Sequence, residues 1–135
     1  MRQYYIKAIS AIGTILTLVN FAHATGAISC SSDQNNLDIN IILGAGPVPN
    51  IFSVSINSDD YSYSTQQGGS EQRIFLARSY LDKQRLQLDF MDSQVLTHIA
   101  TIDVVRHFDA DSEPFQIGYA RIGNYAPIGI RCDGP

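Results

Sequence analysis

Several things this sequence lacks narrow its function before anything it contains is weighed. Beyond residue 24 no apolar run approaches the roughly 20 residues that a membrane-spanning helix needs, so the rest of the chain is expected to be soluble. No serine stands in a GxSxG-type nucleophile motif. Histidine is scarce, with only His98 and His107 beyond residue 24, and a histidine-based hydrolase needs a nucleophile and an orienting group around one of them. Gly44-Ala-Gly-Pro47 is followed by Pro49 and a strand pattern rather than a lysine and a helix, which excludes a phosphate loop and predicts a rigid chain reversal. His107, Asp109, Asp111 and Glu113 are ligand-type residues, but their spacing matches neither an EF-hand nor a structural zinc site, and a solvated acidic loop is expected. Neither metal nor cofactor is expected. No internal repeat occurs, and no Asn-x-Ser/Thr acceptor lies beyond residue 24.

The N-terminal stretch has what the remainder lacks. Arg2 and Lys7 precede an apolar run from Ala8 to Val19, and Ala22-His23-Ala24 places small residues at alternate positions. This layout predicts a secretory signal peptide, residues 1–24, cleaved after Ala24. Residues 25–135 then form a single domain able to enclose one modest core. That domain carries seven basic and thirteen acidic side chains, a formal net charge of −6. Nucleic acid and anionic lipid are poor partners for such a surface, whereas a cationic protein suits it.

Only two cysteines are present, Cys30 and Cys132, near opposite ends of the exported part. In an oxidising compartment this placement predicts a disulfide tying the termini together. Lipid attachment at Cys30, making a membrane-tethered lipoprotein, is the alternative; Ala27-Ile28-Ser29 matches that signal poorly, and lipidation would leave Cys132 unpaired.

The intervening sequence reads as short strands. Leu37, Ile39, Ile41 and Leu43 alternate with more polar positions, as do Phe52, Val54 and Ile56. A four-residue loop at Asn57–Asp60 would pair Ile56 with Tyr61, Val54 with Tyr63 and Phe52 with Thr65, all on one face. Gln66–Gln72 is polar and predicts an exposed loop. In a second hairpin, a turn at Asp82-Lys83 pairs Phe75 with Phe90, Ala77 with Leu88 and Ser79 with Leu86. A longer loop would instead pair Leu76 with Phe90 but set Arg78 opposite Leu88, so the tighter turn is preferred. A strand is expected from about Ile99, with His98 on the core side beside Leu96 and Ala100. Phe115, Ile117 and Tyr119 mark another strand, and Ile128, Ile130 and Cys132 a closing one. Seven to nine short strands without a long helix predict an all-β fold, an antiparallel β-sandwich or small β-barrel, with its termini tied by the disulfide.

Tyrosine offers a rigid apolar ring with a hydrogen-bonding tip, and Tyr125 lies in the turn Gly123-Asn-Tyr-Ala-Pro127; Asn124 and Tyr125 form the candidate recognition loop. Cysteines near both ends of a small exported β-domain resemble the arrangement in bacterial C-type lysozyme inhibitors. The resemblance covers cysteine placement and fold class, and implies inhibition of a cationic lysozyme. That family's Ser-Ala-Ser-Gly-type inhibitory loop is absent, so no site residue is carried over. The expectation is a non-enzymatic binding or inhibitory protein of the bacterial envelope, periplasmic or secreted, that recognises a protein partner through loops. A structural or assembly accessory that lends or receives a β-strand is the alternative from another class.

Overall fold

The computed structural model describes residues 26–34, 36–46, 50–111 and 114–135. The expected signal segment, residues 1–24, lies outside them, as does the middle of the Gly44–Asn50 reversal. Among the described residues, period-2 alternation resolves into nine strands: β1 (Ala27–Ser32), β2 (Leu37–Gly44), β3 (Asn50–Asn57), β4 (Ser62–Ser64), β5 (Gln72–Leu81), β6 (Arg85–Asp92), β7 (His98–His107), β8 (Phe115–Ile122) and β9 (Ile128–Asp133). They close into one barrel in chain order.

Nine strands that simply alternated up and down would meet head to head at the closure. The chain avoids this with one parallel pair, β4 with β5, joined by the exposed connection 65–71. All other neighbours, including β1 with β9, are antiparallel. The connections β1–β2, β3–β4, β6–β7 and β8–β9 therefore share one end of the barrel, its upper end. The β2–β3, β5–β6 and β7–β8 connections share the lower end with Gly26 and Pro135.

The interior is filled by every second residue. Ile28, Leu37, Ile39, Ile41, Val54, Ile56, Ile74, Leu86, Leu88, Ile102 and Val104 are fully buried around Phe90, the one aromatic among the largest fully buried side chains. Phe90 sits opposite Ala100, whose small side chain leaves space for the ring. Burying a Leu- or Phe-sized side chain stabilises by roughly 1.5–3 kcal/mol each, so this continuous row supplies most of the driving force. Gly118 serves another close approach: a Cβ there would lie 1.9 Å from the Asp103 carbonyl oxygen on β7.

Three bulges shift the expected registers. Ile42 pairs with Ser53 but Leu43 with Ile51, so Phe52 is the extra residue and turns outward, 67% exposed, instead of joining the inner row. In the first hairpin Ile56 pairs with Tyr63 rather than Tyr61, a two-residue slip that keeps the same face inward. Ser58 N–H donates to Tyr61 O at 2.8 Å and sets that turn. In the second hairpin Leu76 pairs with Phe90, then Ala77 bulges and Leu81 pairs with Leu86. Arg78 still faces outward, because the bulge places it opposite Asp89, where the two pair at 2.6 Å. The third bulge leaves Ile99 unpaired, since Phe90 opposes Ala100 while Met91 opposes His98. His98 is thereby exposed on the outer wall, contrary to the core position its spacing suggested.

Cys30 and Cys132 are directly opposite on β1 and β9, both 2% exposed, and bonded to each other. The bond occupies the Cys30 thiol, which excludes lipid attachment there. It crosses the barrel's closing seam, where β1 and β9 pair over only three residues.

The lower end holds a buried cation. Arg106, 8% exposed, continues the inward row of β7. Its Nε donates to Gln116 Oε1 at 2.9 Å, its Nη1 to Asp82 O at 2.7 Å, and its Nη2 to Pro135 O. Gln116 Nε2 in turn donates to Gly134 O at 2.8 Å. Burial pushes the guanidinium pKa down, but three acceptors and the Phe108 ring, 4.9 Å away, compensate the charge.

Candidate functional site

The upper end combines exposed apolar side chains with carboxylates. Its most unusual feature is the β6–β7 turn, where Val95 has φ 58°. A β-branched residue in the left-handed region is a genuine outlier and costs on the order of 1–3 kcal/mol. Hydrogen bonds hold it there. Asp92 N–H donates to Thr97 O at 2.9 Å and Val95 N–H to Asp92 O at 3.0 Å. Leu96 N–H donates to Asp92 Oδ1 at 2.8 Å, and this bond leads the causes that lower the Asp92 carboxyl pKa. The turn projects Val95 and Leu96 into solvent, 58% and 77% exposed.

The β8–β9 turn stands two strands away. Gly123 adopts φ 56° and its N–H donates to Ile99 O at 2.7 Å, pinning this turn to β7 just past the Val95 turn. Tyr125 N–H donates to Ile122 O at 3.1 Å, and the Tyr125 side chain is 72% exposed with Asn124 exposed beside it.

Across from Tyr125, the β3–β4 turn supplies Asp59, Asp60 and Tyr61. Asn36 Nδ2 donates to Asp59 Oδ2 at 2.7 Å, tying this turn to the β1–β2 connection. Tyr61 is half-buried, its ring 5.5 Å from that of Tyr63, and burial is the main reason its hydroxyl pKa is raised. Tyr61, Tyr125, Pro127, Ser58, Gln34 and Asp60 line a shallow cleft of about 410 Å³. Asp33, Asp59 and Asp60 give this end its charge, and segments 33–36, 58–61, 93–97 and 123–127 contain neither lysine nor arginine. An apolar, aromatic surface ringed by carboxylates suits a basic partner that also buries apolar groups.

The other sequence candidates lie on the outer wall, His98 just below the Val95 turn and His107 at the lower end of β7. On the outer wall Thr101 Oγ1 donates to Asp89 Oδ1 at 2.8 Å and lies 3.1 Å from His98 Nε2. Burial works against the Asp89 charge, but Thr101, Arg78 and His98 outweigh it and lower its pKa. Thr101, His98 and Asp89 thus form one small polar cluster on the exposed outer wall, with His98 Nε2 3.6 Å from Asp89 Oδ1. His107 Nε2 lies 3.0 Å from Asp109 Oδ2 and its ring stacks on Phe115 at 4.9 Å. Glu113 lies outside the described residues, and among the described residues no three metal-ligand side chains come together. Val105 opposite Ile117 adds an exposed apolar pair on the lower outer wall, without a turn or a carboxylate ring to shape it.

The Gly-Asn-Tyr-Ala-Pro turn was legible from composition. Val95 and Leu96 were not, because a left-handed valine contradicts its own propensity; the only hint is the Asp92-Ser-Gln run before them. No protein-family model, curated protein or solved structure matches the chain.

Proposed function

We propose that this chain is a small exported binding protein of the bacterial envelope, non-enzymatic, which captures a cationic protein through the upper end of its barrel. Leu96, Val95 and Tyr125 act as apolar anchors, and Asp33, Asp59 and Asp60 steer and orient the basic partner. Export is supported by the buried disulfide, which belongs to an oxidising compartment, and by the signal-like sequence of residues 1–24.

The observation that carries this reading is the strained Val95 turn. A fold that held Val95 in the left-handed region only to expose it and Leu96 would lose stability for nothing; display to a partner gives the strain a use. The test is capture from envelope extract by the wild-type domain and by a Val95→Asn, Leu96→Ser, Tyr125→Ser triple variant. A basic protein held by the wild type, released by raising salt to about 0.5 M and not held by the variant, is the expected result. Identical captured sets would refute the reading.

A further inference from the structure

The barrel wall is closed unevenly. β4 contains only three residues, pairs with β3 at Ser55, Ile56 and Asn57, and meets β5 at just two positions, Tyr63 with Gln72 and Ser64 with Arg73. Thr65 extends the contact to Val54. Below that level, among the described residues, β3 from Asn50 to Ser53 pairs only with β2, and β5 from Ile74 to Leu81 pairs only with β6. Two strand edges thus flank the line that β4 would occupy if it continued downward.

The side chains along this breach behave accordingly. Ile51, Leu76 and Leu81 pack on the core but are only half-buried. Ser79 is exposed although it opposes the fully buried Leu88. Phe52 and Phe75 stand exposed on either side. Inner apolar positions open to water beside unpaired backbone edges are the signature of a place for one more strand.

We propose that the breach between β3 and β5 receives an extended segment of a partner protein, running antiparallel to β5, in which apolar side chains alternate with acidic ones. Ile74–Leu81 offers eight residues of edge, about 26 Å at ordinary strand rise. The incoming apolar side chains cover Ile51, Leu76 and Leu81. Its acidic side chains meet the cations along this edge, Arg73 and Arg78 on β5 and Lys83 just past its end; Arg78 is already paired with Asp89, so Arg73 and Lys83 carry the charge preference. A second copy of this chain is a poor occupant, because β5 against β5 would bring two such sets of cations together. The proposal concerns a different surface from the upper end and does not depend on it.

The test uses the oxidised domain and blocked synthetic decapeptides, one alternating Val with Glu and one alternating Val with Lys. The Val/Glu peptide is expected to slow amide hydrogen exchange at Asn50–Ser53 and Ile74–Leu81, and to bind at least about tenfold tighter than the Val/Lys peptide. In an Arg73→Glu, Lys83→Glu variant the preference should reverse, with roughly fivefold weaker binding of Val/Glu. Protection confined to the upper turns, equal affinity for both peptides, or no protection at millimolar peptide would overturn the proposal. So would sedimentation of the free domain as a dimer whose formation protects β5.

Discussion

Replacing both Cys30 and Cys132 by alanine removes the bond across the β1–β9 seam while leaving the inner row apolar. The two residues are 102 apart in sequence, and freeing a loop of that length in the unfolded chain costs the fold about 5 kcal/mol in the chain-entropy model. Little else compensates, since the seam relies on three register pairs, whereas β7 and β8 pair over eight. A domain of this size has a total stability of roughly 5–15 kcal/mol, so the variant should lose between a third and nearly all of it. Equilibrium unfolding in guanidinium, with and without the bond, measures this directly, and the slope should rise because the unlinked chain exposes more surface. The same variant should show early hydrogen exchange at Ser29–Ser31 and Arg131–Asp133, the seam itself. A loss below about 1 kcal/mol, or exchange at Ser29–Ser31 and Arg131–Asp133 no faster than in the oxidised wild type, would refute the idea that the bond holds the barrel shut.

Val95→Gly removes the left-handed penalty and should stabilise the domain by about 1 kcal/mol in thermal unfolding while weakening partner capture, the two effects moving in opposite directions. Arg106→Lys keeps the charge but loses the fork that reaches Gln116, Asp82 and Pro135, and should cost about 2–4 kcal/mol by denaturant unfolding. Acid should weaken the fold. The Asp82, Asp92 and Asp103 carboxyl pKa values lie below the ordinary range, held there chiefly by Tyr80, by the Leu96 N–H and by Arg85 respectively. The unfolded chain then takes up protons first as pH falls, so this stability is fully present above about pH 5 and is lost through the ordinary carboxylate range down towards the depressed folded values. Denaturation midpoints measured from about pH 2 to 6 should fall on that limb; a flat profile would contradict these assignments.

Much of the barrel was written in alternation. Leu37, Ile39 and Ile41, or Ile128, Ile130 and Cys132, show their inward face without any knowledge of their neighbours, and the two cysteines mark where the sheet closes. Register was less legible, for a physical reason. A bulge inserts one residue and reverses the parity of every later position in its strand, and Phe52, Ala77 and Ile99 carry none of the glycine or proline that would announce it. This is why Phe52 and His98 appeared to belong inside and instead face water. The recognition loop divides in the same way. Gly123 and Pro127 signal a turn around Asn124 and Tyr125, whereas the Val95 turn depends on Asp92 accepting from the Leu96 N–H, a bond no local propensity foretells.

The most direct test of partner capture at the upper end is a hydrogen-exchange footprint of the domain with the basic protein it captures. The account predicts slowed exchange at 58–61, 93–97 and 123–127, with the lower end unchanged and the protection lost at high salt. Protection centred on Val105 and Ile117, or on the Arg106 end, with the upper turns exchanging as in the free domain, would contradict it.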